Sequence, residues 1–178
     1  LSPIPPPNQF SRQVGSVLVL HNKSDDCFSY IQKKWELKGY KIDSLCMDQI
    51  DWKQHDDAIS LKKEIDRILV SDQIFQGMIW LHPKFTESEE GLDTSGDVWL
   101  QKALIFTGAI KTRLASDSSI LYVAHGYGKL GSGQNFEFHV ANGLSALAKT
   151  VQAEWAETHG RFIDIHKEFD SAQFTDLV

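Results

Sequence analysis

The stretch Gly15-Ser-Val-Leu-Val-Leu-His-Asn-Lys-Ser-Asp-Asp26 decides the fold. From Ser16 to Leu20 it is a short β-branched and apolar run, which is typical of a strand buried on both faces of a parallel sheet. Residues 22–26 then offer Asn, Ser and Asp as helix N-caps, and apolar residues recur at helical spacing until Gly39 ends the pattern. The stretch therefore predicts a strand followed directly by a helix.

The alternation of apolar runs and helical stripes continues along the chain. Further strands are predicted at 40–45, 75–81, 120–124 and 161–165, with helices at 57–72, 96–115 and 137–158 between them. Strands that alternate with helices favour right-handed crossovers and a parallel sheet with helices on both faces. We therefore expect an α/β fold: a doubly wound parallel sheet of truncated Rossmann-like type, with strand order 3-2-1-4-5.

Length and composition indicate one domain. A chain of 178 residues, 42% of them hydrophobic, can bury one well-covered core and is short for two. Residues 1–14 hold four of the five prolines and show no periodicity, which predicts a linker or an arm laid on a neighbour. Residues 15–178 are then the single Rossmann-like domain.

Charge and hydropathy exclude several classes of protein. The net charge of −6 provides no basic face for the phosphates of a nucleic acid. No apolar run approaches the roughly 18 residues of a membrane span, and the first residues lack the basic start and apolar core of a secretory signal. We expect a cytoplasmic protein without a nucleic-acid or membrane partner.

The two cysteines, Cys27 and Cys46, indicate neither a disulfide framework nor a metal site. They form no CxxC pair, and no histidine stands at metal-ligand spacing from them. We expect both to be reduced and structural, and we expect no metal in this chain.

Two loops at the carboxyl edge of such a sheet would decide whether a dinucleotide binds. The first, His21 to Asp26, contains no glycine, although a pyrophosphate needs a tight turn and a close backbone there. Asp25 and Asp26 would also repel the negative charge of the phosphates. Lys23 and Ser24 could instead hold an anion, but the same residues can simply cap a helix. We expect no cofactor-binding residue in this loop.

The second loop, from Gly126 to Gly133, is rich in glycine. Gly126, Gly128 and Gly131 match the pattern GxGxxG after a predicted strand and before a predicted helix. The match follows the fourth strand, however, and no acidic residue stands about 20 positions further on at the end of a second strand. We interpret this loop as a wide turn.

The remaining polar and aromatic candidates favour structural roles. His125 and His139 flank the glycine-rich loop and could meet, yet no paired acid or nucleophile is evident, which favours a role at the surface or in support of a site. The acidic residues of the loop after the third strand are typical of a solvated segment: Glu87, Glu89 and Glu90. Packing accounts for the tryptophans on core-facing segments: Trp35, Trp80, Trp99 and Trp155.

Two segments near the C-terminus carry a family resemblance. They read Ile120-Leu-Tyr-Val-Ala-His-Gly-Tyr-Gly-Lys-Leu-Gly-Ser-Gly-Gln134 and Ala141-Asn-Gly-Leu-Ser-Ala-Leu-Ala-Lys-Thr-Val-Gln-Ala-Glu-Trp155, followed by Arg161-Phe-Ile-Asp-Ile165. These segments resemble the short-chain dehydrogenase/reductase family, and more closely the ketoreductase region of polyketide and polyunsaturated fatty acid synthases. The likeness is to the amino-terminal half of that region, a truncated structural subdomain.

The resemblance implies that reduction of the β-ketone and NADPH binding belong to a second, catalytic half. In that half the family places a serine shortly after the fourth strand, a tyrosine on the next helix, and an asparagine or lysine four residues later. Here Ala124 or His125 occupies the serine position and Phe138 the tyrosine position, and only Asn142 matches. Without the phenol, no group of suitable acidity can protonate a developing alkoxide. We therefore expect no catalytic residue in this chain, and an Asn142 that faces solvent or bonds locally.

The expected partners also follow from the resemblance. They are the catalytic ketoreductase half, the neighbouring synthase domains and, indirectly, the acyl carrier protein. Two other interpretations stay open. One is a stand-alone NAD(P)H-dependent reductase in which Lys102 or Lys111, His125 and His139 supply polar groups. The other is a scaffold or docking domain without a ligand, which would engage a partner through residues 1–13 or an exposed apolar helix face.

Overall fold

The computed structural model describes residues 15–23, 25–52, 57–69, 72–83, 96–125 and 136–165, and of residues 26, 96, 97 and 136–139 it describes the backbone. The predicted arm at residues 1–14 lies outside this part of the chain and stays a prediction.

Strands and helices alternate throughout the described residues, as the sequence predicts. The strands are β1 (Ser16–His21), β2 (Lys41–Cys46), β3 (Phe75–Leu81), β4 (Leu114–Ala124) and β5 (Thr158–Asp164). The helices are α1 (Asp26–Leu37), α2 (Ala58–Ile68), α3 (Gly96–Ile110) and α4 (Phe136–Glu154), with short 3-10 turns at Met47–Gln49 and Lys111–Arg113. None of the described helices has both the length and the apolar character of a membrane span.

The five strands form one sheet in which every neighbouring pair is parallel. This confirms the α/β class and the truncated Rossmann-like sheet. The order is β2-β1-β3-β4-β5, which differs from the expected 3-2-1-4-5. The reason lies in burial: six of the seven residues of β3 are buried and this strand takes the centre, whereas only one residue of β2, Leu45, is buried and that strand takes the edge. The order therefore reverses between β1 and β3.

The side chains of alternate strand residues point to opposite faces of the sheet, and each face has its own hydrophobic core. Leu18, Trp80 and Tyr122 face the larger core, which is completed by residues of α2, α3 and α4. Val19 and Ile79 face the smaller core, which α1 covers. Each fully buried aliphatic or aromatic side chain contributes about 2 kcal/mol of apolar transfer energy, so the larger core supplies most of the stability.

The largest boundary differences lie around β4 and β5. The predicted third helix reaches residue 115, but α3 ends at Ile110 and β4 begins at Leu114. Phe75 of β3 pairs with Leu114 of β4, but Gly77, only two residues further on, pairs with Ser119. The first half of β4 therefore bulges away from β3, and its polar residues hide the strand pattern in the sequence. The predicted fourth helix likewise ends early, at Glu154, and β5 begins at Thr158.

Candidate functional site

The carboxyl ends of the parallel strands meet along one edge of the sheet. In open α/β sheets, ligands bind beyond this edge, where the strand order reverses. Here the reversal lies between β1 and β3, so the loop after β1, the start of α1 and the residues after β3 are the places to look for a ligand.

The start of α1 is already occupied by a carboxylate of the chain itself. Asp25 is the N-cap, in an extended conformation, and its Oδ1 accepts a hydrogen bond from the backbone N–H of Cys27 at 2.9 Å. Nearby, the ring of His21 stacks on Phe28 with 4.0 Å between centroids and 5° between planes. A pyrophosphate would have to displace a negative group that satisfies the same helix end.

A carboxylate from the 3-10 turn after β2 adds further negative charge at this position. The backbone N–H of Lys23 donates to Oδ2 of Asp48 at 3.2 Å, and the Lys23 side chain is exposed. Ser24, the other half of the hypothetical anion site, lies outside the described residues. With no glycine and with Asp25 and Asp48 beside the helix start, the residues present do not fit the pyrophosphate of a nicotinamide dinucleotide.

A lysine lies against two tryptophans further along the same edge. The Nζ atom of Lys102 is 4.1 Å from the ring centroid of Trp99 and 5.4 Å from that of Trp52. The indole N–H of Trp52 donates to the carbonyl of Met47 at 3.0 Å, which fixes the ring. Burial lowers the pKa of Lys102, and the negative charge of Asp48 opposes that shift.

Two histidines follow directly after neighbouring strands and are buried. His82 follows β3 and His125 follows β4, with 3% and 7% of their surface exposed. The backbone N–H of His82 donates to the carbonyl of Val123 at 2.9 Å, and its ring meets Trp99 edge-on with 5.6 Å between centroids. Burial lowers the pKa of His82 to about 3, and the neighbouring His125 and Lys102 act in the same direction. The imidazole is therefore neutral at physiological pH.

The side chains of Trp52, His82, Trp99, Lys102 and His125 form a cluster at the carboxyl edge, and few kinds of chemistry are open to it. A neutral imidazole and an ammonium held on aromatic faces can donate or accept hydrogen bonds. The described part of the cluster contains no hydroxyl or thiol nucleophile and no carboxylic acid poised to donate a proton. Among the described residues, no group of three potential metal ligands comes together either.

Sequence reasoning misplaced or missed several members of this cluster. His125 is buried directly after β4, so of the two roles that the sequence favours, the position at the surface is wrong and the role in support of a site stays a prediction. His82 and Trp52 were not predicted at all. A usable signal existed for His82, which stands between an apolar strand and Pro83 and therefore at the carboxyl edge.

The two lysines of the stand-alone reductase interpretation lie far apart. Lys102 lies near the start of α3, whereas Lys111 follows its end, about 13 Å away along the helix axis. Lys111 instead lies over Trp155, with 4.6 Å between Nζ and the ring centroid. Only Lys102 can act at the carboxyl edge.

The positions carried over from the resemblance lie on β4 and α4. Ala124 is buried at the end of β4, and Phe138 lies in the first turn of α4, where its side chain is outside the described part. Asn142 is exposed, as expected, and lines an open groove of about 630 Å³ between α4 and β5, together with Lys149 and Phe162.

Other predictions have mixed outcomes. Trp80 is fully buried, and the remaining tryptophans of the predicted core pack against a core while partly exposed: Trp35, Trp99 and Trp155. Cys27 is buried, Cys46 is partly buried, and both are free thiols, as predicted. The side chain of His139 and the loops at 84–95 and 126–135 lie outside the described residues, so the glycine-rich and acidic loops stay predictions.

No protein-family model matches the chain, and no curated protein matches it. Solved structures do match. A small-chain dehydrogenase aligns with a TM-score of 0.62 at 12% identity, over 86% of this chain and 97% of that one. The chain has the fold of the short-chain dehydrogenases. A carbonyl reductase from Pseudomonas aeruginosa PAO1 in complex with NADP aligns at 0.56 and 12% identity, over 89% and 87% of the two chains. BdcA in complex with NADPH aligns at 0.55 and 10% identity, over 84% and 69%.

At these identities the likeness concerns the short-chain dehydrogenase fold alone. Two of these solved structures contain a nicotinamide dinucleotide. In the present chain the helix start after β1 is capped by Asp25.

Proposed function

We propose that this chain is the structural, non-catalytic half of a β-ketoacyl ketoreductase in a polyketide or polyunsaturated fatty acid synthase. In this role it packs against and stabilises a second half that binds NADPH and reduces the ketone. The acyl carrier protein delivers substrate to that second half, so this chain contacts the carrier only indirectly.

The observation that carries the proposal is the capped helix start after β1. Asp25 supplies the acceptor for the Cys27 N–H, and Asp48 lies against the backbone of Lys23. A helix N-terminus serves phosphates only when its N–H groups are free and its surroundings are not anionic. Both conditions fail here.

The positions that would carry reduction support the same conclusion. Ala124 and His125 offer no hydroxyl at the serine position, and Phe138 offers none at the tyrosine position. Ketone reduction needs an acid that protonates the developing alkoxide. Two independent requirements, for cofactor and for acid, therefore fail in one chain while its parallel sheet is kept.

The coding sequence downstream of Val178 tests this proposal. We expect it to continue into a second α/β unit whose first strand ends in a Gly-Gly-x-Gly-x-x-Gly loop, with a tyrosine on a later helix. When this chain is expressed together with that second unit, the melting temperature of the second unit and its ketoreductase activity with NADPH should both be higher than for the second unit alone. A stop codon at that point, or a following domain without a nucleotide fold, would contradict the proposal.

A stand-alone reductase is the second candidate, because Lys102 and His82 do converge at the carboxyl edge. It predicts that the purified chain reduces a β-ketoacyl thioester mimic with NADH or NADPH. It also predicts that Lys102→Met lowers the turnover, whereas Lys111→Met, at the opposite end of α3, does not. Absence of turnover with both cofactors would exclude it.

A further inference from the structure

The side chains of Trp52, Trp99 and Lys102 lie together at the carboxyl edge and are open to solvent. All three are partly exposed, whereas His82, which meets the Trp99 ring edge-on, is buried. The Nζ atom of Lys102 is 4.1 Å from the ring centroid of Trp99 and 5.4 Å from that of Trp52. Trp52 follows the 3-10 turn after β2 and the other two belong to α3, so only the folded chain brings them together.

The charge of Lys102 has no counter-ion in the part of the chain that the structure describes. Its ammonium forms no ion pair and no hydrogen bond with these residues and lies instead over two indole rings. Asp48, whose charge acts on Lys102 from a longer distance, already accepts hydrogen bonds from the backbone N–H of Lys23 and the thiol of Cys46. A cation that is partly withdrawn from water gains more from a counter-ion than a fully exposed lysine does.

Trp99 adds a hydrogen-bond donor without an acceptor. Its Nε1 atom is buried and has no partner among the described residues, although other atoms of the side chain reach solvent. An unpaired buried donor costs free energy that an acceptor from outside the chain would recover. Because Nζ of Lys102 is 4.1 Å from the centre of this ring, a modest turn of the ring lets one bound group contact both nitrogens.

These features select one class of ligand. A donor and a cation without partners favour a group that accepts hydrogen bonds and carries negative charge, and a carboxylate does both. The ring of Trp52, fixed by its hydrogen bond to the carbonyl of Met47, offers a flat apolar surface for the rest of the molecule. A phosphate dianion fits less well, since the neutral His82 adds no positive charge and Asp48 repels a second negative charge.

We propose that Trp52, Trp99 and Lys102 bind a small organic acid with a flat apolar body. The carboxylate pairs with the ammonium of Lys102 and accepts the N–H of Trp99, and the apolar body lies on the ring of Trp52. None of these side chains belongs to the capped loop after β1, so the site is independent of whether the chain is a structural half or a stand-alone reductase. Failure of this site would leave the proposed function untouched.

Titration of the isotope-labelled chain with benzoate, followed by nuclear magnetic resonance at pH 7.5 and constant ionic strength, tests this site. The indole N–H resonances of the five tryptophans report separately, and Trp99→Phe identifies that of Trp99 by its absence. We expect the Trp99 resonance to move with a dissociation constant of about 1 mM. The indole N–H of Trp35 is also buried without a described partner but packs in the smaller core, so its resonance should stay in place.

Three variants show whether the charge of Lys102 carries the binding. Lys102→Met removes the charge but keeps a long side chain, and it should raise the dissociation constant about tenfold, whereas Lys102→Arg should retain binding within about threefold. The matched control is Lys111→Met, which removes the ammonium over Trp155 and should leave binding unchanged. Both methionine variants lose a lysine from a tryptophan face, so their melting temperatures compare the two folds on equal terms.

Two further probes separate the carboxylate from other ligands. Benzamide, which has the same shape without the charge, should bind at least about tenfold more weakly, and inorganic phosphate should give no saturable shift up to about 20 mM. A Trp99 resonance that does not saturate by about 20 mM benzoate would overturn the proposal. So would binding that Lys102→Met leaves intact, that Lys111→Met weakens as much, or that benzamide or phosphate matches.

Discussion

Both ends of the sheet hold a lysine over a tryptophan, in very different surroundings. At the amino end, Lys111 lies over Trp155 at 4.6 Å, and the neighbouring cation Arg113 is paired with Asp66 at 2.6 Å. At the carboxyl end, Lys102 lies over Trp99 at 4.1 Å beside the buried His82. At the amino end, the carboxylate of Asp66 neutralises Arg113. At the carboxyl end, burial lowers the pKa of His82 and of Lys102. The end where this fold places ligands is therefore also the end where burial lowers the pKa of a histidine and a lysine.

Removing the two tryptophans gives the largest expected effect and tests the comparison directly. Trp99 contacts Lys102, His82 and the larger core, so Trp99→Ala should lower the free energy of unfolding by about 3 kcal/mol. Trp155→Ala, which removes contacts to Lys111 and the core, should cost less. Urea denaturation of both variants at pH 7.5 measures the difference. Equal losses of unfolding free energy in the two variants would show that the tryptophans at the two ends of the sheet contribute equally to stability.

The pH dependence of stability should come from the carboxyl end first. Because the folded-state pKa of His82 is lowered to about 3, the unfolded chain binds a proton as pH falls below 6.5 while the folded chain does not. Between pH 7.5 and 5, this residue should cost about 2 kcal/mol of stability. His82→Phe, which keeps an aromatic contact with Trp99, should remove that loss.

Replacement of an exposed histidine is the matched control for that measurement. His159 is exposed on β5, so His159→Gln should retain the parent loss between pH 7.5 and 5. A His82→Phe variant as acid-sensitive as the parent would show that another group accounts for the titration.

The amino end should weaken in a lower pH range. A hydrogen bond from Arg113 lowers the pKa of Asp66, so the pair contributes above the usual range of a carboxyl group and is lost only as pH falls through the lowered value. Arg113→Ala should cost about 1.5 kcal/mol, a modest figure because Asp66 is 42% exposed. The difference from the parent should be the same at pH 7.5 and pH 5. A difference that shrinks by pH 5 would contradict this assignment.

The helix cap gives the smallest expected effect. Asp25→Ala removes the acceptor of the Cys27 N–H and should cost about 1 kcal/mol. Thermal melting in parallel with Asp25→Asn, which keeps a capping oxygen, separates the cap from the charge. Equal melting temperatures of parent and Asp25→Ala would show that the cap is not needed.

The parts of the fold that could be predicted are those that depend on residues close together in the sequence. β1 and β3 were predicted within a residue, since each contains an uninterrupted apolar run of at least four residues. Strand order was not, because pairing of β3 with β1 rather than β2 depends on which strand needs burial on both faces. The first half of β4 was missed because its bulge and exposed polar residues break the alternation.

The site was predictable at one loop and not at the next. The glycine-free loop after β1 and the presence of a helix cap could be found from sequence, because a cap and a turn are local features. The sequence left Asn, Ser and Asp open as the capping residue, and the structure assigns it to Asp25. The cluster of Trp52, His82 and Lys102 unites residues from three separate segments. Only the folded sheet brings those segments together.

A titration of the purified chain with NADPH tests the central claim most directly. Isothermal titration calorimetry, with the Pseudomonas aeruginosa carbonyl reductase that was crystallised with NADP as the positive control, should give saturation for the control alone. For this chain we predict no saturable heat up to about 1 mM NADPH. One-to-one binding with a dissociation constant below about 100 µM would contradict the claim that the capped loop after β1 holds no dinucleotide.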